Sequence, residues 1–403
     1  MSTRPDAAIP APTSGSVPLW LGCLALLTFA IGTDDFVIAG VLPALATDLA
    51  VTEPAAGQLV TAFSLTYALS APVMAVVTAG LPRRAVLIGG MAVFTVLNVA
   101  AALAPTYPLL MAIRVLAAAT AAMMTPAAFA TAATLAPPGR TGRSIGVLTV
   151  GLTLSLVAGV PAGTWLGGTV GWRSTMVFVA AIAVLVTVGL AVSMPALERA
   201  PRQTVRARLA PLRQPTVLIG LVAMTVGAAG GLMPFVYIAP IAAALSGAGP
   251  AELAVLIGIA GVAGFAGALL GGRGTDRFGA ERLLVGALGG QTAVVAALAV
   301  AGWAWSGAVP IVVIGALIGG WGVCGWAFNP PSQARLMAVA GESATEAIAL
   351  NTSAMYLGIS VAGAAGGAAL AWFGAAGVLT ASAVLGLVSL AIFLVSFRVG
   401  GRR

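Results

Sequence analysis

The chain has 403 residues, 60% of them hydrophobic and 7% charged, with a mean hydropathy of +1.07. Soluble domains carry roughly 25% charged residues, so no soluble fold could hide this much apolar surface, and lipid must cover most of it. The net charge of +8 comes from 19 basic residues, all arginine and nearly all in short gaps between apolar runs. That pattern belongs to membrane topology and excludes a nucleic-acid footprint, which would cluster on one soluble face.

In chain order, the Pro-, Ala- and Ser-rich segment 1–17 reads as a disordered terminus. It is not a signal peptide, because the apolar stretch after it is too long and further spans follow. Apolar segments long enough to cross a bilayer fall near 18–43, 55–80, 85–104, 108–134, 144–168 and 173–194. A second set falls near 214–244, 251–271, 282–304, 308–333, 345–371 and 376–397. The predicted fold is therefore all-α and integral to the membrane, with twelve transmembrane helices in two six-helix bundles, 18–194 and 214–397. Between them lies a basic linker, 195–213, carrying Arg199, Arg202, Arg206, Arg208 and Arg213. A short tail, 398–403, ends the chain.

Arg83, Arg84, Arg140, Arg143, the linker, Arg273, Arg277, Arg282, Arg335 and the final arginines all fall on one side of this layout. The other side holds Asp48, Glu53 and Glu252, with Arg173 as its one basic residue. The positive-inside rule then predicts a multi-pass protein of the inner, cytoplasmic membrane with both termini in the cytoplasm. Pro126, Gly159 and Gly163 recur at a constant offset as Pro330, Gly363 and Gly367, which points to a duplication. Duplicated six-helix halves put a substrate site between them, near the bilayer midplane.

Three charges lie inside spans. Asp34 and Asp35 interrupt the run LWLGCLALLTFAIGTDDFVIAGVL of residues 19–42, and Arg114 sits in the fourth span at similar depth. An intramembrane carboxylate costs about 2.5–3.5 kcal/mol on insertion scales and marks an ion or substrate path. A lone intramembrane arginine pairs, so Arg114 is expected to contact Asp34 or Asp35. Neighbours on a helix point about 100° apart, which leaves the other aspartate for the central cavity. Burial favours the neutral carboxyl and a guanidinium the ionised one, and a carboxylate held between them is suited to proton exchange. The alternative is a static structural pair.

The stretch 271–279, Gly-Gly-Arg-Gly-Thr-Asp-Arg-Phe-Gly, reads as the turn between the second and third spans of the C-terminal half. It has no Gly-Lys-Ser/Thr and no preceding strand, so it is not a phosphate-binding loop. Gly151, Gly159, Gly163, Gly167 and Gly168, with Pro161, allow close packing of the fifth span, either as ordinary packing or as a seam between the halves. Gln58, Ser64, Tyr67, Tyr237, Asn329, Gln333, Asn351 and Tyr356 are polar or aromatic residues within spans. They are candidates to line a large, adaptable, mainly apolar cavity. Histidine is absent and the two cysteines, Cys23 and Cys324, have no metal spacing. No metal and no cofactor is expected.

Together these features resemble the major facilitator superfamily, in particular its twelve-helix drug:proton antiporter branch. The likeness is to bacterial chloramphenicol exporters and sugar or nucleoside efflux permeases. It is carried by Gly32-Thr-Asp-Asp-Phe-Val-Ile-Ala-Gly-Val-Leu-Pro43, Leu81-Pro-Arg-Arg84, Arg114-Val-Leu116, Gly159-Val-Pro-Ala-Gly-Thr164, Gly171-Trp-Arg173, Tyr237-Ile-Ala-Pro240, and the stretches 271–279 and 351–367. The resemblance implies that Asp276 and Arg277, with Gly272 and Gly279, gate the cytoplasmic side, joined by Arg83 and Arg84. It implies that Arg114 couples protonation at Asp34 or Asp35 to transport, and that Gly159, Pro161 and Gly163 mark an exporter. Three departures stand out: the N-terminal loop copy lacks its acidic residue, Ala117-Ala118 replace the usual Gln-Gly, and the first span has two aspartates.

The expected function is proton-driven export of small amphiphilic compounds such as chloramphenicol, by a monomer in the bilayer whose partners are a small-molecule substrate and protons. A sugar or nucleoside permease is the alternative within the class. An intramembrane enzyme would need a nucleophile–base pair or a metal cluster in the spans, and neither is evident. Nor is the ring of charged or carbonyl groups that a channel needs.

Overall fold

The computed structural model of the protein describes residues 17–195, 204–305 and 309–400. The expected N-terminal segment, apart from Val17, lies outside the described residues, as do much of the linker and the last residues of the tail. In lipid every backbone N–H and C=O must be satisfied within the segment, and the apolar runs answer this by forming helices. At 1.5 Å per residue, helices of 20 to 30 residues, such as Arg83–Ala102 and Leu19–Asp48, span a hydrocarbon layer about 30 Å thick.

The first six are α1 (Leu19–Asp48), α2 (Glu53–Val77, ending in a 3₁₀ turn Thr78–Gly80), α3 (Arg83–Ala102), α4 (Tyr107–Thr134), α5 (Thr141–Thr169) and α6 (Trp172–Ser193). After the linker come α7 (Pro215–Val236, continuing as Ile238–Ser246), α8 (Pro250–Phe278), α9 (Ala280–Ala304) and α10 (Ile311–Ala327, continuing as Asn329–Ala340). The last helical stretch, Ala344–Gly400, is two rods, because Gly374 has φ 66° and breaks the helix there. Residues 344–373 are α11 and residues 375–400 are α12. Twelve crossing helices are thus present among the described residues, six on each side of the linker, as the hydropathy predicts.

The structure differs from the sequence reading at helix ends. Residues 271–278 are not a loop: α8 runs on to Phe278, and only Gly279, at φ 83°, turns the chain into α9. Glycine-rich sequence reads as a turn in water, but in a bundle the backbone bonding continues through it. Thr275 Oγ1 adds a bond to the carbonyl of Gly271 (2.7 Å). Similarly, α1 extends to Asp48 and α10 to Ala340.

Alternation of the helices puts the linker on one face of the molecule and the turns after α1, α3, α5, α7, α9 and α11 on the other, the far face. There Asp48 accepts hydrogen bonds from Trp172 Nε1 (3.0 Å) and from Arg173, whose Nη2 also donates to the carbonyl of Ala104 (3.0 Å). This ties three far-face turns of the N-terminal half. On the linker face, Arg83 donates to Thr134 Oγ1 (2.7 Å) and Arg84 to the carbonyl of Ala191 (2.7 Å), joining α3 to α4 and α6.

The two halves meet through α2 with α11 and through α5 with α8, chiefly on the far-face side. Gly363 lies against Thr61, Gly367 against Gln58 and Pro54, and Gly168 against Pro250, with no room for a Cβ at any of them. Towards the linker face, Leu69, Val73 and Val77 of α2 and Val150 and Leu154 of α5 are exposed. An apolar cleft of about 490 Å³ opens between α1 and α5 within the N-terminal half, with Arg143 in its lining.

Candidate functional site

The site is built on the middle of α1. Asp34 and Asp35 are both buried, at 0% and 3% exposure, in a helix whose neighbours approach closely because of glycine. A Cβ at Gly32 would collide with Ser155, one at Gly40 with Thr164, and one at Gly159 with Thr33. Small residues at these crossings let α5 lie directly on α1.

Arg114 projects from α4 towards Asp34. Its Nη1 lies 2.7 Å from Asp34 Oδ1 and its Nη2 donates to the Asp34 carbonyl (3.0 Å). At 2.7 Å the two side chains form a close, buried ion pair. Asp34 Oδ2 and Arg114 Nε have no hydrogen-bond partner. The guanidinium also sits 4.4 Å above the ring of Phe63 on α2, a cation–π contact that strengthens when desolvated.

Asp35, about 100° round the helix, points elsewhere. Its Oδ2 accepts a hydrogen bond from the hydroxyl of Tyr356 on α11 (2.8 Å), which belongs to the other half. Tyr67 of α2 stacks on Tyr356, with ring centroids 3.7 Å apart and planes 16° apart. Asp35 is also the one ionisable residue lining a crevice formed with Phe36, Ala39, Val60, Leu232, Phe235, Val236 and Ile359. This crevice, about 10 Å³, has room for about one water. Around Asp35 the halves are drawn together, and the space beside its carboxylate is narrow.

The aromatic wall of the crevice went unnoticed in the sequence. Phe36 of α1 meets Phe235 of α7 edge-on across the halves (5.6 Å), Phe235 stacks on Trp321 of α10 (5.9 Å), and Trp321 meets Trp326 (5.8 Å). Trp321 Nε1 donates to the carbonyl of Gly231 (2.8 Å), which fixes the ring. The run Gly319-Gly-Trp-Gly-Val-Cys-Gly-Trp326, with tryptophans among glycines, is the one available signal.

Of the polar residues expected to line a cavity, Tyr356 bonds to Asp35 and Tyr67 stacks on Tyr356. Gln58 donates to the carbonyls of Pro54 (3.1 Å) and Gly363 (3.4 Å), and Tyr237 donates to Gly363 (2.6 Å). Both therefore belong to the far-face seal between the halves. Asn329 accepts from Gln333 (3.2 Å) at the break in α10, and Asn351 is buried near the linker-side start of α11. Neither is among the residues lining the crevice.

The glycines of α5 divide. Gly151, Gly159, Gly163 and Gly167 pack on α1, inside their own half. The seam with α8 is made instead by Leu156, Val157, Pro161 and Gly168, facing Gly258, Gly261 and Pro250. Residues Ser155–Gly159 form a π-turn just before Pro161, an irregularity that gathers at functional sites in helices. At the linker face, Asp276 and Arg277 are exposed in the last turn of α8, and Gly272 is half-buried one turn earlier. Arg277 lies over the ring of Phe278 (5.2 Å). Among the described residues the ion pairs are Arg114–Asp34, Arg173–Asp48 and Arg335–Glu281, so Asp276 makes none.

The chain compares closely with known transport proteins. An inner membrane transport protein, YdhP, of Escherichia coli (strain K12) is 33% identical over 347 residues, 86% of this chain and 87% of that protein. A chloramphenicol resistance protein of Streptomyces lividans is 34% identical over 273 residues, 67% and 70% of the two chains. Among solved structures, a bacterial homologue of the human lysosomal transporter Spinster, in an inward-facing and occupied conformation, superposes with a TM-score of 0.73. It is 19% identical and covers 95% of this chain and 98% of that one, a likeness of fold alone. The family model of the Major Facilitator Superfamily matches residues 24–363. The chain belongs to that superfamily and is a membrane transporter, not an enzyme.

Proposed function

We propose that the protein is a proton-coupled exporter of small amphiphilic compounds, with phenicol-like antibiotics as the leading substrate class. The observation that carries this reading is the buried trio Asp34, Asp35 and Arg114, with Asp35 bonded across the junction of the two halves. The arginine-rich side is the cytoplasm, so the linker and both termini are cytoplasmic in the inner membrane, and the conformation is inward-facing. The residues beside Asp35 are apolar and aromatic, so a site that widens there on substrate entry suits an amphiphile better than a hydroxyl-rich sugar. The chloramphenicol resistance protein of Streptomyces lividans supports the drug class.

In the cycle, the ionised site takes substrate from the cytoplasm. Protons arriving from outside neutralise the carboxylate, weaken its hold on Arg114 and release the substrate outward. Loss of the proton to the cytoplasm resets the site. Each elementary charge moved across 100 mV is worth about 2.3 kcal/mol, enough to drive useful accumulation.

The test uses everted membrane vesicles, acidified inside by respiration and supplied with radiolabelled chloramphenicol. Wild-type vesicles should accumulate the drug until the gradient is collapsed, while Asp34→Asn and Asp35→Asn should not. Gradient-driven uptake at the wild-type rate in both variants would contradict the proposed coupling.

A further inference from the structure

The bond between Tyr356 and Asp35 joins the two halves at the depth of the candidate site and has no part in the proton cycle as stated above. An exporter that exchanges a proton for substrate has one forbidden step: the empty, ionised carrier must not turn outward, or substrate leaks back. Something must hold that state, and must let go when either ligand binds.

We propose that Tyr356 is the latch that holds the empty carrier inward-facing; this rests on the proton-exchange reading above. Its hydroxyl donates to the Asp35 carboxylate at 2.8 Å, from α11 in one half to α1 in the other. A hydrogen bond to an ionised acceptor is roughly twice as strong as a neutral one, so the latch is tightest when Asp35 carries its charge. The Tyr67 ring, stacked on Tyr356, restrains it from swinging away. Because α2 and α11 form the broadest contact between the halves, the latch sits where it can govern their closure.

Each ligand opens it by a separate route. A proton on Asp35 reduces the bond to a neutral one. A substrate with a hydroxyl or amide N–H beside an apolar ring competes for Asp35 directly, because the crevice offers no other charged or strongly polar group. The ionisable groups around Asp35 are Tyr356 from α11, Tyr67 from α2, Arg114 from α4 and Asp34 on its own helix. Arg114 is engaged by Asp34, so Tyr356 is the donor that answers to Asp35. Tyr356 is a positioning residue, acting on the balance between conformations and not on the proton itself.

The experiment uses the full chain in proteoliposomes, with Cys23→Ala and Cys324→Ala as background and spin labels at Leu81→Cys and Met337→Cys, both exposed on the linker face in opposite halves. Distances are read without substrate at alkaline pH. With Tyr356 intact, the long, inward-facing distance should dominate. Tyr356→Phe keeps the ring stack and should raise the short-distance population about tenfold, the factor a lost bond to a charged group represents. Asp35→Ala should do the same, and adding Tyr356→Phe to it should change nothing more. An unchanged distribution in Tyr356→Phe, or an additive double variant, would overturn the latch. Chloramphenicol accumulation is followed in parallel. Failure of the wild type to accumulate it would count against the export reading, while the distances still judge the latch.

Discussion

Arg114 and Asp34 are enclosed so fully that neither can be removed alone without cost. Both are buried to within 2% exposure and Arg114 lies against Phe63 as well. Breaking a buried pair by deleting one partner costs about 3–5 kcal/mol, whereas replacing both with apolar residues costs far less. Arg114→Ala and Asp34→Ala should each lower the melting temperature in detergent sharply, and Asp34→Leu with Arg114→Met should recover most of the loss. A double variant as unstable as the sum of the singles would mean that the pair is not the source of the stability. Asp34, Asp35 and Arg114 were legible in the sequence, because charge inside an apolar run stands out against its surroundings. The aromatic wall was not. Phe36, Phe235 and Trp321 meet only once two halves are docked, and an aromatic residue in a membrane helix carries no sign of which partner it faces.

At the scale of elements, α5 and α8 show how glycine sets contact. Gly261 faces the backbone of Leu156 so closely that a Cβ there would lie 2.4 Å from its carbonyl oxygen, while Gly289 on α9 has open space around it. Overpacking costs about 1–3 kcal/mol, and at Gly261 the cost falls on the α5–α8 seam between the halves. Gly261→Leu should therefore hold the carrier away from the inward-facing state and cut vesicle uptake about tenfold or more, and Gly289→Leu should leave uptake near wild type. Equal uptake in the two variants would show that the seam does not govern the transition. The existence of each helix was readable from hydropathy over about 20 residues. Helix ends were harder, since Gly271, Gly272 and Gly274 carry the composition of a turn yet continue a helix inside a packed bundle. The division of α5 glycines between α1 and α8 was also hidden, because spacing fixes a helix face but not its neighbour.

For the whole molecule, the contacts between halves lie chiefly on the far face, and the open cleft lies towards the linker. Cysteines introduced at Leu26 and Leu154, both exposed at that cleft, should react with a membrane-impermeant thiol reagent from the linker side in the substrate-free protein. They should be slowed when an inward-directed proton gradient drives turnover. Equal labelling from both sides of the membrane would contradict alternating access. Two-fold architecture was legible from the repeated Pro126/Pro330 and Gly159/Gly363 offsets, but the conformation was not, because one sequence must serve both states.

Competition of substrate and proton at Asp34 and Asp35 can be read in weakly buffered detergent solution with a pH-indicator dye. Chloramphenicol binding, followed in parallel by calorimetry, should release protons from the wild-type protein at mildly acidic pH and release none from the Asp34→Asn, Asp35→Asn double variant. Drug binding with no proton release, or the same release from wild type and variant, would contradict it.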